Sequence, residues 1–145
     1  MEIGIKFESI WSDIDVVEVR IAAWNGEFGG SADVYVEIGG ILMAAAKLEG
    51  FPHNTADVCD LEFGSFGLKT AGGAVTLRFH SRGAVGRTFV ETTIESAHDE
   101  FDHAQRAILF APVEAAAIDS FVANLRILEE RLHSVAFLRL EGSAS

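Results

Sequence analysis

One cysteine, two prolines and one tyrosine occur in this 145-residue chain. Cys59 alone excludes an intrachain disulfide, and a cysteine-based zinc site has no second thiolate. Asp60 and Glu62 flank it, the opposite of the cationic surroundings that activate a thiol, so it reads as a small packed side chain. Basic side chains are scarce: 11 Lys and Arg stand against 22 Asp and Glu, a net charge of −11. A phosphate-neutralising surface needs the reverse balance, so no nucleic-acid partner is expected. Long apolar runs are missing too. The longest, Ile41 to Ala46, falls far short of the ~20 residues that span a bilayer. The first residues carry no basic, then apolar, leader pattern, and no lipidation signal is visible. The expectation is a reducing, cytoplasmic setting, with no membrane contact and no cofactor.

What is present is a core. Hydrophobic residues make up 49% of the chain, too many for a disordered segment. The length suits one domain over 1–145. Residues 1–70 carry 4 basic and 12 acidic side chains and residues 71–145 carry 7 and 10, with no sharp boundary between them.

Period-2 alternation dominates. Ile3, Ile5 and Phe7 alternate with polar residues, as do Val17, Val19 and Ile21. Asn25-Gly26 turns the chain, since both residues tolerate positive φ, and Ala32, Val34, Val36 and Ile38 lead back. After Gly39-Gly40, Ile41, Leu42, Ala45 and Leu48 take helical spacing; Gly50 and Pro52 end that helix. Strand character returns over residues 57–67, and then around Val75, Leu77 and Phe79, over 88–95 and over 105–111. Pro112 suits the first turn of a helix. Ile118, Phe121, Val122, Leu125, Leu128 and Leu132 form one apolar stripe over about five turns. Residues 135–140 fit a short eighth strand.

The expected fold is therefore α+β: one curved, mainly antiparallel sheet of seven or eight strands, with a short helix and a long C-terminal one, in the order β-β-β-α-β-β-β-β-α. One sheet face packs on the long helix. The other needs the short helix, sheet curvature or a partner to cover it.

No catalytic constellation stands above background. His98 and His103 lie among Asp99, Glu100 and Asp102, but their spacing of five does not match a helical ligand pair, and a solvated loop explains them. Phe63-Gly64-Ser65-Phe66-Gly67 lacks the glycine that a nucleophile elbow needs two residues before the serine. The glycine turns at 72–73 and 83–86 lack a phosphate-loop ending and read as hairpin turns. Arg78, His80 and Arg82 share one strand face. They form a candidate anion or ligand site, unless they pair across the sheet with Glu91, Glu95 or Glu18. Trp11, Trp24 and Phe28 lie near strand ends among Asp13, Asp15, Glu27, Asp33 and Glu37. Trp24 and Phe28 with Asp13, Asp15 and Asp33 make the candidate interaction surface, because aromatics anchor interfaces and acids steer basic partners.

The segments RIAAWNGEFGGSADVYVEI, DLEFGSFGL, AVTLRFHSRGAVGRTFVETTIES and APVEAAAIDSFVANLRIL cover most of the chain. Together they resemble the WapI-like family of small acidic bacterial immunity proteins. The resemblance implies a β-rich body with an intervening short helix and a C-terminal amphipathic helix, and inhibition of a basic toxin. It transfers no functional residue. The expected function is thus a non-enzymatic protein-binding domain. The alternatives are a small-ligand protein or enzyme that uses a concavity of the sheet, and a self-associating homodimer.

Overall fold

The computed structural model describes residues 2–65, 72–83, 87–101 and 103–142. Its elements are β1 (Gly4–Ser12), β2 (Val16–Trp24), β3 (Gly29–Glu37), α1 (Gly40–Leu48), β4 (Val58–Gly64), β5 (Ala74–Arg82), β6 (Arg87–Glu95), β7 (Arg106–Pro112), α2 (Ala115–Leu128) and β8 (Val135–Arg139). The α+β class and the antiparallel pairing are as the alternation implies. The single sheet is not. Two four-stranded sheets form instead, ordered β3-β2-β1-β8 and β4-β5-β6-β7.

The division follows the chain. Each sequence-adjacent hairpin pairs, but α1 separates β3 from β4, and these two strands do not pair. Instead β3 runs across the strand ends of the second sheet. Gly30 faces Ala107 and Ile94, Ala32 faces Gly73, and Val34 faces Gly64. Gly73 also donates its N–H to the Asp33 carbonyl at 2.8 Å. Strands crossing in this way pack their inner faces with steeply different directions.

The inner faces supply the core. Ile5, Phe7, Val19 and Ile21 from the first sheet meet Leu61, Phe63, Leu77 and Leu109 from the second, all buried. Within the first sheet β3 makes the close approach to the second, and the helices complete the core. Ile41, Ala45 and Leu48 of α1 and Ile118, Phe121, Leu125 and Leu128 of α2 join the same cluster. Phe7 stands at the junction. Its ring lies edge-on to Phe63 at 4.9 Å and to Phe121 at 5.3 Å. The second sheet and the helices supply the cover that the alternation alone left open.

Two details of α2 differ from the spacing. Pro112 ends β7 rather than opening the helix; β7 is an edge strand, where a missing N–H is tolerated. The helix stops at Leu128, so Leu132 lies in a turn and is exposed. Just beyond the helix, Glu129 accepts the Gly39 N–H with both carboxylate oxygens at 3.0 Å and the Ile41 N–H at 3.3 Å. Gly39 has no side chain to cap α1, so the carboxylate from the end of α2 supplies the acceptor. No helix among the described residues is long and apolar enough to cross a membrane.

Candidate functional site

The outer face of the first sheet is a grid set by strand register. Arg139, Gly4, Trp24 and Gly29 form one row across β8, β1, β2 and β3. Phe137, Lys6, Ala22 and Ser31 form the next, then Val135, Glu8, Arg20 and Asp33. Trp11, Glu18 and Tyr35 close the far end, where a bulge between Ser9 and Trp11 shifts the register of β1.

This grid divides the candidate surface read from the sequence. Asp13 and Asp15 sit in the β1–β2 turn, whereas Trp24 and Phe28 sit at the other end of β2, about 26 Å away at the usual rise of a strand. Asp33 lies between and is already engaged: Arg20 donates to its two carboxylate oxygens at 2.9 and 3.1 Å. The five residues therefore do not form one surface. The aromatics beside Asp13 and Asp15 are Trp11 and Tyr35. The bulge that places Trp11 in the row of Glu18 and Tyr35 leaves no signal in the alternation.

That end is acidic and apolar together. Trp11 is 46% exposed and Ile14 90%; Tyr35 and Ile38 are exposed as well. Around them stand Asp13, Asp15, Glu18 and Glu37. Glu18 is the strand partner of both Trp11 and Tyr35, Glu37 is paired opposite Val16, and the Asp15 carbonyl accepts the Ile38 N–H at 3.0 Å. None of the four carboxylates is in an ion pair among the described residues. Asp13 also holds the turn, accepting the N–H groups of Asp15 and Val16 at 2.8 and 2.9 Å. The Val16 bond first, then that of Asp15, keeps its carboxyl below the usual carboxylate range.

Phe28 sits at the β2–β3 turn. Asn25 orders that turn, accepting the N–H groups of Glu27 and Phe28 on its side-chain oxygen. Its side-chain nitrogen donates to the Phe110 carbonyl at 3.0 Å, which ties the turn to the edge strand β7. Phe28 thereby joins exposed Ile108 and Phe110 along a shallow hollow.

On the outer face of the second sheet, Arg78, His80 and Arg82 do share one side. Arg78 is neutralised where it stands, 3.4 Å from Asp60 on one neighbouring strand and paired opposite Glu91 on the other. His80 stacks on Phe89 at 5.7 Å with planes 20° apart. Arg82 lies opposite Arg87, whose guanidinium reaches Glu141 at 3.5 Å. Cross-strand pairing accounts for Arg78, and the hollows beside Gly30, Trp24, Phe28, Tyr35 and Leu140 are lined by other residues.

Burial lowers the affinity of His80 for a proton, and Arg82 and then Arg78 lower it further against the pull of Glu91. With the folded pKa below the unfolded one, protonation favours the unfolded chain. The stability that neutral His80 contributes is complete above the ordinary imidazole range. It is lost as pH falls through that range, and the loss levels off below the folded pKa. Following the His80 ring protons by NMR across acidic pH should give a midpoint below the ordinary imidazole value. Arg82→Gln should raise it, and an unmoved midpoint would contradict this account.

The histidine loop opens out. His98 turns inward against Glu95 at 3.8 Å, while His103 faces solvent beside Asp99 at 3.6 Å. Among the described residues no group of three His, Cys, Asp or Glu is arranged to hold a metal ion. Asp102 of this loop lies outside the described residues, as do Phe66 and Gly67 of the glycine-serine segment and residues 84–86 of the β5–β6 turn. Comparison of the chain with protein families, curated proteins and solved structures gave no significant match.

Proposed function

We propose that this chain is a non-enzymatic binding module that captures a basic protein on the acidic, aromatic end of its first sheet. The observation that carries the reading is the coincidence there of exposed Trp11, Ile14, Tyr35 and Ile38 with four carboxylates that form no ion pair among the described residues. Aromatics in a desolvated centre supply most of the energy of an interface, and a charged rim supplies steering. Among the described residues neither Trp11 nor Tyr35 has a neighbour that covers it fully, and the net charge of −11 extends the attraction beyond the patch. Inhibition follows by occlusion, since the surface brings no catalytic group. The immunity-type resemblance would make the partner a basic toxin.

The test is capture from lysate of the cell of origin with four baits, followed by identification of the bound protein. The wild-type chain should retain one basic protein at 1:1 stoichiometry, released by salt because exposed charges are screened beyond about 10 Å at 0.1 M. The triple variant Asp15→Asn, Glu18→Gln, Glu37→Gln should lose it, and Trp11→Ala should bind at least about tenfold more weakly. Phe28→Ser, at the opposite end, should bind as wild type. Retention by the triple variant, or no stoichiometric partner at low salt, would sink the reading.

A further inference from the structure

At the end of the first sheet away from the acidic patch, its outer face holds a groove of about 500 Å3. Gly4 and Ala22 floor it, Trp24 and Phe137 wall it, and Lys6 and Arg139 bring charge to it. Glycines shape the walls. Phe137 leans from β8 over Gly4, where any side chain would collide with its ring. Trp24 leans from β2 over Gly29, where an added Cβ would stand 2.9 Å from its Cε3. Both rings therefore tilt the same way across the sheet. One covers β1 and the other β3, and the space above Ala22 between them stays open.

The charge of the groove runs against that of the chain. Lys6 and Arg139 face a single acid in the lining, Glu2. Arg139 has no ion pair among the described residues, and Lys6 has only a long contact to Glu8 at 3.8 Å, exposed to solvent. The hollow beside Phe28 is lined by Glu27 and Glu141, the one beside Tyr35 by Glu18 and Asp33 against Arg20, and Arg139 also borders a smaller hollow with Glu114 and Glu141. Trp24 and Phe137 are only partly exposed, yet none of the described residues fills the gap between them. Lys6 is the direct strand partner of Ala22, about 5 Å away, whereas the row from Trp24 to Arg139 crosses Gly4 beneath the Phe137 ring. A two-ring ligand above Ala22 therefore points its carboxylate at Lys6, with the long Arg139 side chain reaching round Phe137 from about 10 Å, two strand spacings, away.

We propose that this groove binds a small, flat aromatic carboxylate. The ring slots between Trp24 and Phe137 above Ala22, and the carboxylate meets the Arg139 guanidinium and the Lys6 ammonium. Stacking on the aromatic walls holds the plane, and the planar guanidinium matches a carboxylate through two parallel hydrogen bonds. This site is independent of the protein interface proposed above, which lies at the other end of β2.

Calorimetric titration of the full chain with 2-naphthoate, neutral 2-naphthol, cationic 2-naphthylmethylamine and inorganic phosphate tests it. Naphthoate should bind saturably at 1:1, at least tenfold tighter than naphthol, with no heat from the amine or from phosphate. The amide signals of Lys6, Ala22 and Phe137 should shift in NMR spectra during the naphthoate titration. Arg139→Gln should weaken naphthoate at least tenfold, and Ala22→Leu, which fills the floor, should abolish binding. Far-ultraviolet circular dichroism confirms that each variant is folded, and either variant alone suffices. The proposal is overturned by equal affinity for naphthoate and naphthol, by phosphate binding as tightly as naphthoate, by undiminished binding in the folded variants, or by no saturation up to millimolar naphthoate.

Discussion

Phe7→Ala is expected to destabilise the fold by about 3–5 kcal/mol, the range for removing a fully buried phenylalanine. Phe7 is wholly inaccessible, and its ring joins three layers: its own sheet, Phe63 of the second sheet and Phe121 of α2. The loss combines the transfer of the ring to water, a cavity bordered by rigid strands, and two edge-to-face contacts worth about 0.5–1.5 kcal/mol each. A domain of this size is stable by only about 5–15 kcal/mol, so the variant loses a large share of its margin. Urea unfolding measures it through the shift in midpoint. Phe28→Ala is the control, since Phe28 is 62% exposed and such surface changes stay within about 0.5 kcal/mol. A loss below 1 kcal/mol for Phe7→Ala would mean that the two sheets do not meet at this ring.

Gly64→Ala is expected to be nearly as damaging, for a different reason. Gly64 has φ +76°, which costs an L-residue about 1–2 kcal/mol. An added Cβ would also collide with the Gly73 carbonyl and approach Val34 Cβ at 3.2 Å and Ala74 Cα at 3.3 Å. Two of these are backbone atoms that cannot swing aside, and overpacking of this kind costs about 1–3 kcal/mol more. Gly39 isolates the backbone contribution. Its φ is +95°, but an added Cβ would meet nothing within 4 Å. Thermal unfolding should therefore rank Gly64→Ala well below Gly39→Ala, and Gly39→Ala below wild type. Each kcal/mol moves the midpoint by about 2–4 °C at this chain length. Equal midpoints for the two variants would contradict the close approach of Gly64 to Gly73, Ala74 and Val34.

The alternation of Val17, Val19 and Ile21, and of Val75, Leu77 and Phe79, was enough to place β2 and β5 and their inner faces, because a period of two is a local property. Ala107 and Leu109 turn inward, and Ile108 and Phe110 outward, as the same pattern requires. The spacing of Ile118 to Leu128 marked α2 for the same reason. What local pattern does not carry is partner choice between distant strands. Nothing in residues 29–37 distinguishes a strand that pairs with β4 from one that crosses over Gly64 and Gly73. The candidate surface was divided because nearness in sequence hides the length of β2, which sets Asp13 and Asp15 at one end and Trp24 and Phe28 at the other; the bulge between Ser9 and Trp11 then brings Trp11 beside Glu18. That Arg78 pairs across the sheet was legible, and Glu91 lies opposite it, but its ion-pair partner is Asp60 of β4, which the reading of Glu91, Glu95 and Glu18 did not include. The groove was not, because its floor of Gly4 and Ala22 and its wall of Phe137 come from three strands that only the tertiary register aligns.

β1 pairs with β2 on one side and β8 on the other, Gly4 opposite Arg139, across almost the whole described chain. A ribosome releases β1 and β2 early and β8 last among the strands. Throughout that interval the outer edge of β1 presents unpaired backbone groups beside Ile5 and Phe7, an open template for another chain. The first sheet and the groove on it are thus completed only after synthesis has passed residue 139, and a ribosome stalled before that point would leave an unfinished sheet prone to pairing with its neighbours.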